Sequence, residues 1–271
     1  MTHRRSVSVL RGVAIAVILL VFLGPIVWMI LASLKLNVDI YDSAKTFVFS
    51  PTLANYETVF GQANYGLYIW NSFVIAAVST ALSLVLGIPA AYAMARFVMR
   101  RSANLVLLAR VIPGVSLLIP WYYVFSSLRM VGGYSVLILA HMFVALPLIV
   151  YIMMSFFEQL PEELEESGQV DGLTPIGAFL RITLPLSAPG IATATILSFI
   201  FSWNNFMFAL VLSSSGTKTL PVAIFDFIGY ASIDWGGLMA ASVVVTIPIM
   251  VIALFTQKYI VTGFTAGATK G

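Results

Sequence analysis

The chain has 271 residues, 60% of them hydrophobic and only 9% charged, with a formal net charge of +3. A soluble domain carries about 25% charged residues, so this composition excludes an ordinary water-soluble fold and indicates one multi-span helical membrane domain. Cysteine is absent, which excludes disulfides, thiol chemistry and cysteine-ligated metal, and the isoelectric point near 9.2 reflects Arg and Lys beside apolar runs rather than a nucleic-acid surface.

A helical span needs about 20 apolar residues. The first expected span is 12–34; the run preceding it starts like a signal peptide but continues too far for an h-region, so it reads as a retained helix. Residues 35–70, with Lys35, Asp39, Asp42, Lys45, Pro51 and Glu57, read as an external loop. The second span is 71–95, closed by Arg96, and the third is 104–127, interrupted by Arg110, Pro113 and Gly114. The fourth is 134–157, the fifth 191–213 and the sixth 236–257, with a second external loop at 214–235. Prolines and glycines recur inside these runs, at Gly24-Pro25, Gly87, Pro89, Pro147 and Pro248; neighbouring helices can satisfy the backbone groups they free.

Basic residues set the orientation. Arg4, Arg5 and Arg11 precede the first span, Arg96, Arg100 and Arg101 follow the second, and Lys258 and Lys270 follow the sixth. The other side holds only Lys35, Lys45, Arg129 and Lys218, so both termini are expected in the cytoplasm. Loop 158–190 then falls on the cytoplasmic side too.

That loop is a polar island. Six of the chain's eleven acidic residues lie in it: Glu158, Glu162, Glu163, Glu165, Glu166 and Asp171. Pro161 suits a first helical position, with Glu162 and Glu163 in a first turn whose dipole favours negative charge. Leu164, Ser167, Gly168 and Asp171 share one side at helical spacing, and Ser167 and Gly168 keep it nearly flat. Gly172 is a natural stop, and Thr174-Pro175 supplies a cap and a start for the next helix. Leu184-Pro185 and Pro189-Gly190 are expected to break the chain before the fifth span.

Glu166-Ser167-Gly168, Asp171-Gly172 and Ile182-Thr183-Leu184-Pro185 resemble the EAA loop of ABC importer permeases. Pro25 to Met29, Asn71-Ser72-Phe73, Ala90-Ala91-Tyr92-Ala93 and Thr219-Leu220-Pro221-Val222 are similar to the carbohydrate-uptake, maltose-transporter type of that family. The tail from Gln257 to Gly267, with Lys270-Gly271, is a specific match. The resemblance implies an all-α polytopic fold, a type I ABC importer transmembrane domain of six helices over 1–271, with the loop as a cytoplasmic coupling helix. It implies ATPase coupling through Glu165, Glu166, Ser167, Gly168, Asp171, Gly172, Leu184 and Pro185. It also implies binding-protein contact through Thr219, Leu220 and Pro221, and an ATPase-interface tail including Thr265, Gly267, Lys270 and Gly271. The implied partners are a second permease subunit in a heterodimer, an ABC ATPase dimer that uses ATP and Mg, an external solute-binding protein, a sugar substrate and the lipid of a bacterial inner membrane. No cofactor is bound by this chain itself.

Trp203-Asn204-Asn205-Phe206 lies midway along the fifth span. Aromatic faces and amides are what a sugar site uses; an interhelical hydrogen bond is the other reading. Arg110, an ionised residue in an apolar run, is either functional or snorkels to the boundary. Trp121, Tyr122 and Tyr123 read as an interfacial belt, and His141 as a buried, hydrogen-bonded side chain. There is no phosphate-binding loop of the Gly-x-x-x-x-Gly-Lys-Ser/Thr type, no His-Glu-x-x-His and no intra-span carboxylate pair. The reading is a non-enzymatic permease for a sugar or sugar derivative. Its rivals are a permease for another solute and an ion-coupled transporter; the second needs charge relays inside the spans.

Overall fold

The computed structural model describes residues 2–61, 64–230 and 232–266, with side chains between Leu10 and Phe255 except Arg100 and Leu107. Among the described residues the regular elements are helices, apart from one isolated bridge between Ile228 and Ile233. Four helices are long and apolar enough to cross a membrane: Leu10–Ser33, Tyr65–Arg96, Tyr134–Phe157 and Trp235–Phe255. A fifth candidate is a helix pair bent by 72°. The chain is therefore an all-helical polytopic membrane protein. It divides into two compact units, residues 1–66 with 223–248, and residues 67–222 with 249–271.

In the first unit, α1 (Thr2–Ser33) runs through Pro25 without breaking. Its apolar side chains are exposed from Leu10 to Leu23, as suits a helix facing lipid or another chain. The segment read as an external loop carries more structure than expected. Lys35 is buried rather than solvated: its Nζ donates to the carbonyls of Lys45 (2.9 Å) and Thr46 (2.6 Å) and sits over the rings of Trp28 and Phe49. Asn55, on α2 (Ala54–Gly61), donates at 2.7 Å to the carbonyls of both Ser33 and Lys35, satisfying groups that the end of α1 leaves open. Asn37 donates to Asp234 (2.7 Å), whose carboxylate accepts from Gly237 N–H (2.9 Å) at the start of the last helix.

The second unit is organised around α6 (Tyr134–Phe157), whose buried residues include Leu137, His141, Ile149, Met153 and Phe157. α3 (Tyr65–Arg96) approaches it at Gly87, where a β-carbon would lie 2.9 Å from Ile149 Cγ2. α9 (Ala188–Trp203) approaches it at Gly190, where a β-carbon would lie 2.6–2.9 Å from the ring of Phe156. Small residues permit such close crossings, which drive helix association where lipid offers no hydrophobic gain. A polar bridge crosses the same packing: Ser202 Oγ lies 2.6 Å from His141 Nδ1 and 3.1 Å from Ser79 Oγ. His141 is thus buried and hydrogen-bonded, as expected.

Two expected spans are discontinuous. The third divides into α4 (Arg100–Leu108) and α5 (Gly114–Ser127), because Pro113 is extended (φ −61°, ψ 126°) and Gly114 restarts the helix. The fifth ends at Trp203 and resumes as α10 (Met207–Leu212). The last helix, α11 (Trp235–Ala266), is continuous through Pro248. Trp121 does not sit in a belt with exposed Tyr122 and Tyr123; it is half-buried and stacks on Phe208 at 5.2 Å.

Replacing Gly190 with Val drives two methyl groups into the Phe156 ring. Overpacking of this kind costs about 1–3 kcal/mol, and thermal unfolding of the detergent-solubilised protein will show a lowered midpoint, with Gly12→Val, at an open position, unchanged.

Candidate functional site

The acidic loop folds as a helical hairpin. α7 (Glu163–Val170) begins two residues later than Pro161 suggests: Pro161 and Glu162 form the entering turn, and Glu162 makes no side-chain cap. Its end is as expected. Gly172 takes φ +94°; its N–H reaches the Gln169 carbonyl (3.0 Å), and Leu173 N–H reaches that of Gly168 (3.0 Å). This pairing, with a left-handed glycine, is a Schellman stop. Thr174 then accepts from Gly177 N–H at 3.1 Å with Pro175 at the first position of α8 (Pro175–Leu186).

α8 does not break at Leu184-Pro185. Its middle, Phe179–Thr183, is wound as a π-helix in which Leu184 N–H reaches the Phe179 carbonyl. Pro185 has no N–H to return to Arg181, and the turn before it widens instead of ending. The break falls at Ser187, where α8 and α9 meet at 72°.

The hairpin is fastened by Arg96 at the end of α3. Its Nη2 and Nε donate to Glu165 Oε1 at 2.8 and 3.0 Å, and its Nη1 donates to the carbonyls of Phe157 (3.1 Å) and Leu160 (3.2 Å). Tyr92, one turn back on α3, donates its hydroxyl to Glu165 Oε2. Its ring packs on Phe179 (4.4 Å) and edge-on against Phe157 (5.6 Å). Burial pushes the Glu165 carboxyl up in pKa, but the bonds from Tyr92 and Arg96 outweigh it and hold the group below its ordinary 4.5.

The predicted coupling residues therefore separate into two sets. Glu165 and Gly168 turn inward: Glu165 is 7% exposed, and a β-carbon on Gly168 would lie 2.4 Å from Ile182 Cδ1. On the side expected to be flat, only Gly168 is covered, by Ile182 and Leu173 of its own chain. Glu166, Ser167, Asp171, Gly172 and Pro185 are exposed, and Leu184 is half-buried.

The other predicted sites are rearranged similarly. Thr219, Leu220 and Pro221 are buried, so they anchor the loop rather than present it; the exposed residues are Ser214, Ser215 and Gly216. The anchors come from α3. Asn71 donates to the carbonyls of Gly216 (3.1 Å) and Lys218 (2.8 Å) and accepts from Tyr134 (2.5 Å), while Ser72 accepts from Leu220 N–H (2.8 Å). At the fifth-span break, Trp203 is buried and stacks on Phe199 (5.9 Å). Asn205 accepts from Phe208 N–H (3.1 Å), which caps α10; Asn204 is exposed and Phe206 half-buried. Arg110 is exposed at the α4–α5 break, 5.7 Å from the Tyr151 ring. In the tail, Thr265 falls within α11 by its backbone, while Gly267, Lys270 and Gly271 lie outside the described residues. Sequence reasoning treated Arg96 as a topology marker and Asn71 and Tyr92 as motif letters; the polar residue ending an apolar run was the available signal.

The chain belongs to the family described as binding-protein-dependent transport system inner membrane component, which matches residues 83–265. It is thus a multi-pass inner-membrane permease subunit of a binding-protein-dependent ABC importer. It is 36% identical over 97% of its length to the sulfoquinovosyl glycerol transport system permease protein SmoH of Agrobacterium fabrum, covering 94% of that protein. It is 35% identical over 99% of its length to the trehalose/maltose transport system permease protein MalG of Thermococcus litoralis, covering 98% of it. Its fold is similar to a chain of a bacterial ABC transporter that imports the acidic polysaccharide alginate, with a TM-score of 0.82 at 18% identity, covering 96% of this chain and 98% of that one.

Glu165 stabilises the fold fully above the unfolded carboxyl pKa, and that contribution is lost as pH falls through its lower folded value. Protection of the hairpin from proteolysis will hold from neutral pH to about 5 and decline below the ordinary carboxylate range, a decline absent in Glu165→Gln. Arg96→Ala strands a buried carboxylate at a cost of roughly 3–5 kcal/mol. The Arg96→Met, Glu165→Leu double variant will unfold at a higher temperature than Arg96→Ala alone.

Proposed function

We propose that this subunit carries a sugar or sugar derivative across the bacterial inner membrane and takes its energy from a separate ATPase through the 158–190 hairpin. Six crossings make up the path-forming body, with the third and fifth interrupted, and both termini lie in the cytoplasm. A second permease subunit completes the pore as a heterodimer. An ABC ATPase dimer, with ATP and Mg, binds the hairpin, and an external solute-binding protein docks on the opposite side near Ser214–Gly216.

The observation that carries this reading is the hairpin itself. Glu166, Asp171 and Glu163 are exposed on a base that Arg96, Tyr92 and the Gly168–Ile182 contact hold rigid. A rigid acidic knuckle transmits displacement, whereas a solvated loop absorbs it. Relatives named for trehalose/maltose and for sulfoquinovosyl glycerol transport support a sugar here. ATP-driven closure of the ATPases then re-biases two states of the permease through contacts that differ between them. The predicted tail contacts through Thr265, Gly267, Lys270 and Gly271 belong to the same proposal.

Charge reversal at exposed Glu166 (Glu166→Lys) leaves the Arg96 anchor intact but alters the docking face. Co-purification of the ATPase with the permease pair will be lost or reduced about tenfold, the equivalent of 1.4 kcal/mol. Gly172→Val forces a β-branched residue into the left-handed region, at about 1–2 kcal/mol, and will weaken the same association. Normal ATPase binding and transport in both variants would refute the coupling assignment.

A further inference from the structure

Three cavities in the unit formed by residues 67–222 share one wall residue, Phe201. The largest, about 480 Å³, lies beside Arg110, Tyr151, Ser155, Gln159 and Thr193. The second, about 280 Å³, joins it at Arg110, Leu148 and Phe201 and extends to Pro113 and Gly114 in the α4–α5 break. The third, only about 20 Å³, continues past Val144 to His141 and Asn205.

Their walls follow two helical stripes. On α6 these are His141, Val144, Leu148, Ile152 and Ser155, continued past its end by Gln159; on α9 they are Thr193, Leu197 and Phe201, extended by Asn205. Spacings of three and four place each set on one helix face. From His141 to Ser155 the helical part of the line covers about 21 Å at 1.5 Å per residue, some two-thirds of the ~30 Å hydrocarbon core. Both ends are polar and the middle is apolar.

Arg110 stands where the two larger cavities meet. Its one contact among the described residues is the Tyr151 ring, and no described carboxylate lies within ion-pair distance. A guanidinium has five N–H donors and no acceptor, so its complement is a ligand rich in oxygen acceptors. The hydroxyls of Ser155 and Thr193, the Gln159 amide and the faces of Tyr151, Phe156 and Phe201 complete a chamber suited to a sugar: acceptors for hydroxyl groups and flat apolar faces for ring C–H groups. Its volume falls within the ~300–1,000 Å³ of small-molecule sites. The smallest cavity has room for about one water, so the line is open on the hairpin side and shut at its His141 end.

We infer that this line of cavities is the solute path through the subunit, with Phe201 as its gate and Arg110 and Tyr151 holding a mono- or disaccharide in the chamber beside the hairpin. The inference rests on the sugar-importer reading. It moves the main substrate contact from Trp203, which is buried, and Asn205, which caps α10, to Arg110 and Tyr151, with Asn205 left at the narrow end of the line.

The chain has no cysteine, so single-cysteine variants in the full complex report on this subunit without background from it. Ser155→Cys and Leu197→Cys lie on the path, and Val85→Cys is exposed on α3 away from every cavity. In inside-out vesicles, the charged reagent methanethiosulfonate ethylsulfonate will modify the first two at least about tenfold faster than Val85→Cys, because only a water-exposed thiolate reacts. Adding Phe201→Ala will speed modification of Ser198→Cys, at the narrow end, by a similar factor. Excess trehalose will slow modification of Ser155→Cys, and Arg110→Gln will lower trehalose uptake about tenfold, with Arg110→Lys partly restored. Equal rates at Ser155→Cys and Val85→Cys overturn the path, whatever the ATPase does. If the wild-type complex hydrolyses ATP on docking its binding protein but imports neither trehalose nor maltose, the sugar assignment falls with its role for Arg110, and the cysteine rates alone decide the path.

Discussion

Arg96 carries a planar fork of donors to the end of an otherwise apolar helix, and the hairpin takes its position from where those donors point. Two reach Glu165, and a third nitrogen reaches the carbonyls of Phe157, at the end of α6, and Leu160, in the turn that follows. Each group alone would be costly to bury; together they satisfy one another. Tyr92 closes the remaining carboxylate oxygen and brings its ring against Phe157 and Phe179. One ion pair therefore joins the ends of two long helices to the α7 hairpin. Glu165 is committed to the fold, whereas Glu163, Glu166 and Asp171 stay exposed on the outer side of the same hairpin.

Besides the Ser79–Ser202–His141 bridge within the helices, several polar side chains sit at breaks. Asn205 caps the restart after Trp203, Asn71 and Ser72 gather the backbone of the 216–220 loop, and Asn55 closes the end of α1. Within a bilayer an unpaired backbone group has no water to fall back on, so an interrupted helix is viable only where a side chain supplies the missing partner. The recurrent asparagines are explained by that requirement, with no need for contact to solute.

Much of the fold was legible because hydropathy and proline-glycine signals act locally. Four long helices, the left-handed stop at Gly172 and the Thr174 cap lie where residue chemistry puts them. What the sequence could not disclose was direction. Glu165 and Glu166 are adjacent and chemically alike, yet a turn of about 100° per residue buries one and exposes the other. Thr219-Leu220-Pro221 reads as a surface loop until Asn71, some 145 residues away, is seen to hold it down. Lys35 looks solvated because nothing local announces two aromatic faces and two carbonyls waiting for it. Helix ends were blurred for a related reason: Pro185 should end a helix, but a widened π-turn lets it pass.

The 72° elbow at Ser187 makes α9 a lever. Phe201 lies fourteen residues beyond the fulcrum, a lever arm of about 21 Å at 1.5 Å per residue. If α8 turns with its docking surface and α9 follows by about 10°, the Phe201 ring sweeps roughly 4 Å, about one aromatic ring's thickness. Under the coupling proposal, a modest rotation at the hairpin shifts the Phe201 ring, an exposed side chain that borders all three cavities.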